Sequence, residues 1–350
     1  MRKTLAFRGV IFVGTKYSRT MITPLILGKG RSGHAIAKSL ASLAVMQPEL
    51  KLQSPVWLER GASLLTERKK FPHPILCIAN PHGLHEKAIL EAEQAQFDAI
   101  LCEKPACVNS DQIQRLKLVK TPTAIFHVFR QTWGIQTLKQ MLDENHFGEL
   151  ISIEGRYWQS SAAERALISK EHGSKTWKDD PKISGEFDTF IDIGTHWIDA
   201  VAFLYGSMPS KILGFKSYVN SDSPHRDSHV QLSMDFQNQG RAFGSISKTI
   251  HGATNHFEIN LIGSKMTATW QALSPDEILI GEGRDRRILT RKKSDLGSMQ
   301  APFHGMGWIE GYIEIASRLL NEVYLKKKSS YPTLQNNLDV LSAMFETKWQ

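Results

Sequence analysis

Pro24-Leu25-Ile26-Leu27-Gly28-Lys29-Gly30-Arg31-Ser32-Gly33 decides how the first half of the chain is read. Four apolar residues in a row suit a short strand buried on both faces. The glycines that follow are spaced G-x-G-x-x-G. Beyond them, Ala35, Ile36, Leu40, Leu43 and Ala44 recur at helical spacing, which predicts a helix over 34–45. A strand, a glycine loop and a helix in that order form the context in which this pattern cradles a dinucleotide. Gly28 permits the tight turn, Gly30 lets backbone approach a pyrophosphate, and Gly33 lets the helix close on the strand. Arg31 and Ser32 then stand in the first helical turn, whose unpaired N–H groups and partial positive charge favour phosphate.

The same alternation continues outward. Residues 74–79 and 99–102 read as buried strands and 124–129 as another strand; residues 84–95, 110–119 and 132–145 read as helices, the second capped at Asn109-Ser110-Asp111. Repeated strand–helix units predict a parallel, doubly wound sheet, an α/β Rossmann arrangement. Residues 46–71 break the pattern, with only Val56-Trp57-Leu58 strand-like. After Gly148 the period becomes two, over 151–157, 229–236, 241–250 and 257–262, with Gly240 and Gly263-Ser264 at turn positions. That predicts a large, mainly antiparallel open sheet with one solvated face, in an α+β domain. One helix interrupts it at 195–205, and amphipathic helices at 309–324 and 334–347 close the chain. The expected organisation is an extension over 1–20, a dinucleotide-binding domain over 21–147 and a substrate-binding, oligomerising domain over 148–350.

The 350 residues carry 43 basic and 35 acidic side chains, a net charge of +8. The positive residues are dispersed, apart from solvated runs such as Arg291-Lys292-Lys293 and Lys326-Lys327-Lys328. No basic stripe interleaved with aromatics and no nucleic-acid motif is present, so the charge suits an anionic cofactor or substrate better than nucleic acid. Three cysteines, Cys77, Cys102 and Cys107, are an odd number in largely apolar surroundings, which speaks for a reducing compartment, the cytoplasm, and against disulfides. They lack the partners of a zinc site, and no metal is expected. No apolar stretch reaches transmembrane length. The first twenty residues superficially look like a signal peptide, yet Arg8 interrupts the apolar run and no cleavage site is clear.

Three further places carry chemistry. Glu59, after the 56–58 strand, is placed to meet the ribose hydroxyls of a dinucleotide, while Arg60 beside it suits a 2′-phosphate, so NAD and NADP both stay open. Asn80-Pro81-His82-Gly83-Leu84-His85 and Glu103-Lys104-Pro105 both follow strands, so with 28–33 three strand-end loops converge on one cleft edge. There Asn80, Pro81, His85, Glu103 and Lys104 border the cofactor, although a plain turn explains the histidines nearly as well. Pro105 pushes Lys104 towards an extended conformation, and a cis bond would fix its angle. Lys104 is suited to hydrogen-bond a substrate oxygen. Asp192-Ile193-Gly194-Thr195-His196 opens the apolar helix, with Asp192 and His196 four apart and on one side. A histidine with a carboxylate neighbour suits proton transfer at neutral pH. Tyr157, Trp158 and Trp177 are candidates to stack on a sugar, with core packing as the blander alternative.

Together these segments resemble the glucose–fructose oxidoreductase / inositol dehydrogenase / rhizopine-catabolism (Gfo/Idh/MocA) family. The matching stretches are GKGRSG (28–33), NPHGLH (80–85), CEKP (102–105), FHVFRQTWG (126–134), GEL (148–150), SGEFDTFIDIGTHWID (184–199) and YPT (331–333). The resemblance runs from about Met21 to the C-terminus. It implies NAD(P)-dependent oxidation or reduction of a sugar, cyclitol or related compound, and a homo-oligomer formed through the C-terminal sheet. It matches Lys104 to the catalytic lysine and Asp192 and His196 to the acidic residue and histidine of the second motif. His196 would take the hydroxyl proton, Lys104 would bind the substrate oxygen, and Asp192 would hold the substrate or orient the histidine. Arg130 matches an arginine that often follows the fifth strand, and joins Trp158 and Trp177 as a substrate-side candidate. The alternative is a non-catalytic regulator of the same fold that binds dinucleotide and ligand. Two departures stand out: residues 46–71, and Gln335-Asn336-Asn337 where the family often has an acidic–glycine pair, a change expected to touch only the last helix cap.

Overall fold

The computed structural model describes residues 21–164, 177–217, 226–237, 240–292 and 307–350. The expected extension over 1–20 lies outside them. Strands β1 (Ile22–Leu27), β2 (Val56–Trp57), β3 (His73–Ile78), β4 (Ala99–Cys102) and β5 (Thr123–Ile125) form one parallel sheet in the order β2-β1-β3-β4-β5. Their continuous apolar runs are buried on both faces. Helices α1 (Arg31–Met46), α2 (Leu64–Arg68), α3 (His85–Gln94) and α4 (Ser110–Leu116) cover them. α1 turns Ala35, Ile36, Leu40 and Leu43 inward, and the Asn109 side chain caps α4 by accepting from Gln112 N–H. The poorly patterned stretch 46–71 holds only the 3₁₀ turn Pro48–Leu50, two-residue β2 and short α2.

The strand expected over 124–129 stops at Ile125. Phe126 N–H takes the carbonyl of Cys102 at the end of β4 (2.9 Å), and no further ladder is on offer. Val128–Gln131 therefore winds into a 3₁₀ turn before α5 (Trp133–Asp143).

The second sheet has nine strands: β6 (Leu150–Trp158), β7 (Lys211–Ser217), β8 (His229–Asp235), β9 (Arg241–Ser247), β10 (His256–Gly263), β11 (Thr267–Gln271), β12 (Glu277–Glu282), β13 (Asp285–Thr290) and β14 (Lys348–Trp349). Their order is β13-β12-β11-β10-β6-β9-β8-β7-β14, antiparallel except at β6–β9 and β7–β14. One face carries the register row Ile212, Met234, Ala242, Ile153, Leu261, Ala268 and Ile280 inward. The next inward row contains Gly244 and Gly155. A Cβ on either would come within 3 Å of the Trp197 ring (2.6 and 2.9 Å), so these glycines cut the groove in which Trp197 of helix Thr195–Tyr205 lies. That groove seats the helix bearing His196 against the sheet.

The strands of the first sheet all precede residue 148 and those of the second all follow it, while the closing helices pack against elements of both halves. Ile309–Leu325 packs its apolar stripe on α1, with Gln47 bonded to Ser317 (2.9 Å) and to Asn321 (3.0 Å). Tyr331–Thr333 lies along β5, Ile125 N–H donating to Pro332 O (2.8 Å). Leu334–Phe345 then packs between α4 and Thr195–Tyr205. The apolar faces of these helices are buried against the first domain, so the C-terminus ties the two halves together. Among the described residues no helix is long and apolar enough to cross a membrane.

Candidate active site

β1, β3 and β4 are neighbours and parallel, so the loops after them meet at one edge, as the spacing predicts. Gly28 has φ +117°, and a Cβ there would lie 2.4 Å from Ala79 O; at Gly33 it would lie 2.0 Å from Gly28 O. Both positions demand glycine. Gly30 is different: a Cβ there meets nothing within 4 Å, so this stretch of backbone faces open space. No side chain caps α1 at Gly30, which leaves its first N–H groups without side-chain partners. Arg31 is exposed beside them, and Ser32 sits against the Tyr312 hydroxyl. Asn80, at the end of β3, has a buried side-chain oxygen with no hydrogen-bond partner among the described residues, and Pro81 leads the turn His82–Leu84. Glu59 and Arg60 are exposed at the end of β2, and Glu59 reaches across to Lys29 of the glycine loop (2.7 Å). These features fit a dinucleotide: glycine where backbone must pass close, an open helix N-terminus and an orphaned amide oxygen.

Two of the expected cofactor contacts are turned elsewhere. His85 is fully buried, with Nδ1 2.7 Å from Pro105 O and Nε2 2.7 Å from Asn80 O, so it braces two cleft loops instead of facing a ligand. Glu103 is buried and accepts from the Tyr312 hydroxyl of helix Ile309–Leu325; burial raises its carboxyl.

Lys104 follows them, and its bond to Pro105 is cis. Its ammonium donates to both the backbone carbonyl and Oδ1 of Asp192, the latter at 2.7 Å. Asp192 lies in the π-helical turn Phe190–Gly194 that opens Thr195–Tyr205. The Asp227 carboxylate holds the approach by accepting from Asp188 N–H (2.7 Å) and Phe190 N–H (2.6 Å). Three ammonium groups converge on Asp192: Lys104 on Oδ1, and Lys178 (2.9 Å) and Lys248 (2.7 Å) on Oδ2, with Lys248 also on Asp188 (2.7 Å). His82 Nε2 stands 3.9 Å from Oδ1. Burial alone would raise the Asp192 carboxyl, but these three lysines and His82 together hold it well below the usual range. Asp192 thus anchors Lys104. No hydrogen bond joins it to His196 among the described residues, so the expected part of orienting the histidine is not seen.

His196 is buried among rings: His127 at 5.6 Å and 88°, Phe129 at 5.4 Å and Tyr157 at 6.1 Å. Burial, with Lys104 and His127 nearby, keeps its imidazole well below the ordinary value. It is therefore neutral at physiological pH and able to accept a proton.

The remaining candidates separate. Arg130 is spent on a buried bidentate pair with Asp199, Nε to Oδ2 at 2.9 Å, and on Asn336 Oδ1 at 3.0 Å. It clamps the turn after β5 to helix Thr195–Tyr205. Trp158 points to the outer sheet face, where it donates to Ser245 Oγ (2.9 Å) beneath Arg156 (4.6 Å). Alternation along β6 puts its neighbour Tyr157 on the His196 side instead. Trp177 stands in the cluster, edge-on to His82 at 5.0 Å. Asn336 and Asn337 do more than cap a helix. Asn336 completes a capping box with Thr333 and holds Arg130, while Asn337 reaches Ala106 N–H (2.9 Å) and His127 Nε2 (2.7 Å). Sequence reading missed Lys178, Lys248, His127 and Asn337. Lys248 left a faint trace: a lysine at the end of an alternating strand, in register with the buried side.

Residues 135–269 match the family model of the GFO/IDH/MocA C-terminal domain. Among particular relatives, it is similar to glucose-6-phosphate 3-dehydrogenase of Bacillus subtilis, 25% identical over 136 residues (38% of this chain, 37% of that one). It is also similar to levoglucosan dehydrogenase of Pseudarthrobacter phenanthrenivorans, 22% identical over 240 residues (61% and 59%). Both matches span less than two thirds of those relatives. In structure it resembles an inositol dehydrogenase homolog from Azotobacter vinelandii complexed with NAD+, with TM-score 0.80, 13% identity and 95% of each chain covered. A levoglucosan dehydrogenase complex with NADH and levoglucosan gives TM-score 0.77 at 20% identity, covering 93% of this chain and 95% of that one. At such identities the likeness establishes the fold.

Proposed function

We propose that the protein is an NAD(P)-dependent dehydrogenase acting on a CH–OH group of a sugar, cyclitol or related polyol. The observation that carries this is the neutral, buried His196 beside Lys104, on the edge where the dinucleotide-type loop opens. Gly28, Gly30, Gly33 and the first turn of α1 hold the pyrophosphate, with Asn80 offering its side-chain oxygen. When bound, the dinucleotide supplies the hydride acceptor at its nicotinamide ring. Lys104, fixed by two bonds to Asp192, donates its remaining N–H to the substrate oxygen and stabilises charge developing there. His196 takes the hydroxyl proton as the C–H bond gives up its hydride, and returns it in the reverse direction. The Lys178 and Lys248 ammonium groups keep Asp192 ionised, so Lys104 stays anchored. Trp177 and Tyr157 give the site aromatic walls suited to sugar rings.

The relatives named above are dehydrogenases of sugars, and the neighbouring complexes hold NAD+ or NADH, which favours NAD here. Glu59 and Arg60 stand together at the deciding edge, so the test runs both cofactors. Reduced-nicotinamide absorbance is followed with NAD and with NADP against a panel of sugars and inositols, alongside thermal shift with each dinucleotide. Turnover of one polyol is the expected result; failure to bind either dinucleotide overturns the reading.

The outer face of the nine-stranded sheet exposes Phe215, Phe243 and Ile288 among polar residues. We assign this face to self-association, giving a homo-oligomer. Light scattering is expected to return a multiple of the 39.4 kDa chain mass, and Phe243→Glu to reduce it; a monomeric wild type refutes the assignment. The three buried cysteines, none in a disulfide, support the reading of a reducing compartment, the cytoplasm.

A further inference from the structure

The first turn of helix Leu334–Phe345 enters the site from the far end of the chain. Asn337 is wholly buried there. Its side-chain oxygen accepts from Ala106 N–H (2.9 Å), two residues past Lys104. A backbone N–H only donates, so this contact fixes which end of the amide is oxygen. The amide nitrogen therefore faces His127 Nε2 (2.7 Å) and donates to it. That leaves His127 one neutral form, with its proton on Nδ1. Nδ1 of His127 is buried with no partner among the described residues, and so is Nδ1 of His196, the ring it meets edge-on at 5.6 Å. Two orphaned ring nitrogens on neighbouring imidazoles are an unusual expense.

We propose that His127, held in its Nδ1–H form by Asn337, is a positioning residue for His196, and that Asn337 thereby couples the Lys104 loop to the proton-accepting ring. The proposal rests on the dehydrogenase reading for its consequence, though not for its geometry. The His127 Nδ1–H supplies a fixed buried donor on the His196 side, through direct contact on closure or through one shared water. Burial drives His127 down to about 4, so this donor stays neutral and unchanged across the working pH range. The groups facing it are Asp199 (3.9 Å from Nε2, neutralised by Arg130), Lys104, His196 and Asn337.

The test exploits the shapes of two amides. Asparagine at 127 places its N–H₂ near the position of Nδ1, whereas glutamine places its amide near Nε2 and leaves no donor towards His196. His127→Asn is expected to keep kcat within about threefold of wild type, and His127→Gln to lose about tenfold or more with KM for the polyol little changed. A purely structural histidine gives equal losses in both, which overturns the proposal. Ring-nitrogen NMR on ¹⁵N-histidine protein, with His127 assigned by its loss in His127→Gln, reads the tautomer directly. The expected form is Nδ1–H in wild type, switching to Nε2–H in Asn337→Asp; Nε2–H in wild type overturns it. The NMR needs no substrate, so a wild type that turns over no polyol counts against the dehydrogenase reading alone.

Discussion

His196→Ala is expected to fold, to bind dinucleotide as the wild type does, and to lose about 10²- to 10⁴-fold in kcat. Two features set the size. The ring is a neutral acceptor close enough to feel the Lys104 charge, and Asp192, the other candidate base, is held well below the carboxylate range by three lysines and His82, so it is a poor proton acceptor. The pH profile carries the same information with a definite sign. Burial, then Lys104 and His127, lower the His196 imidazole from its ordinary 6.5. A base with a lowered pKa stays deprotonated further as pH falls, so the acid limb of kcat/KM lies below 6.5. A limb at or above 6.5 identifies a different base. Lys104→Met supplies the contrast. It leaves Asp192 paired with Lys178 and Lys248, so the fold persists, while the substrate oxygen loses its donor. Full turnover in Lys104→Met moves the oxygen-binding role to Lys178. The profiles are taken with the dinucleotide saturating, which stabilises the folded state by mass action.

What was legible in the sequence follows from what is local. The glycine loop, its strand and its helix lie within residues 22–46, and both Gly28 and Gly33 proved to be places where a Cβ has no room. The change of period after Gly148 is also local, and it announced the second sheet. Lys104, Asp192 and His196 stood out as candidates because each sits where an element begins or ends. What failed is long-range. Nothing near Arg130 says that Asp199 waits 69 residues away to consume its charge, or that Asn337 is 210 residues from His127. Tyr157 and Trp158 were both candidates: on a half-buried strand adjacent residues face opposite ways, and only the register of β6 against β9 and β10 shows that Tyr157 looks at His196 while Trp158 faces the outer side. The closing helices read correctly as amphipathic, yet amphipathicity does not say which surface the stripe meets. That they meet α1 and α4 is a long-range fact of the fold.

The largest expected effect on stability comes from acid. His82, His127 and His196 are each buried, and burial is the leading cause that lowers each below its ordinary 6.5. In the unfolded chain all three titrate near that ordinary value. Below pH 6.5 the unfolded state therefore binds more protons than the native state, and by linkage stability falls as pH falls. Each such group contributes about 1.4 kcal/mol per pH unit until its own native pKa is reached, so three acting together cost up to about 4 kcal/mol per unit. For His127 the window runs from 6.5 down to about 4. A net stability of about 5–15 kcal/mol would be offset over about one to four such units. His85 is lowered too, but it contributes least: a neutral ring has one proton for two carbonyls, Pro105 O and Asn80 O, so protonation satisfies both and offsets part of the burial cost. The Asp192 carboxyl adds its own loss only lower, as pH falls below its unfolded value of 3.8. Thermal unfolding followed by circular dichroism should show Tm level between pH 8 and 7 and dropping steeply from 6.5 to 5, before the carboxylates titrate. His127→Asn removes one titrating ring, and its curve should fall less steeply over that interval. A wild-type Tm that holds level down to pH 5 would mean that these rings titrate in the folded state near their ordinary value, which overturns the lowered imidazoles argued above.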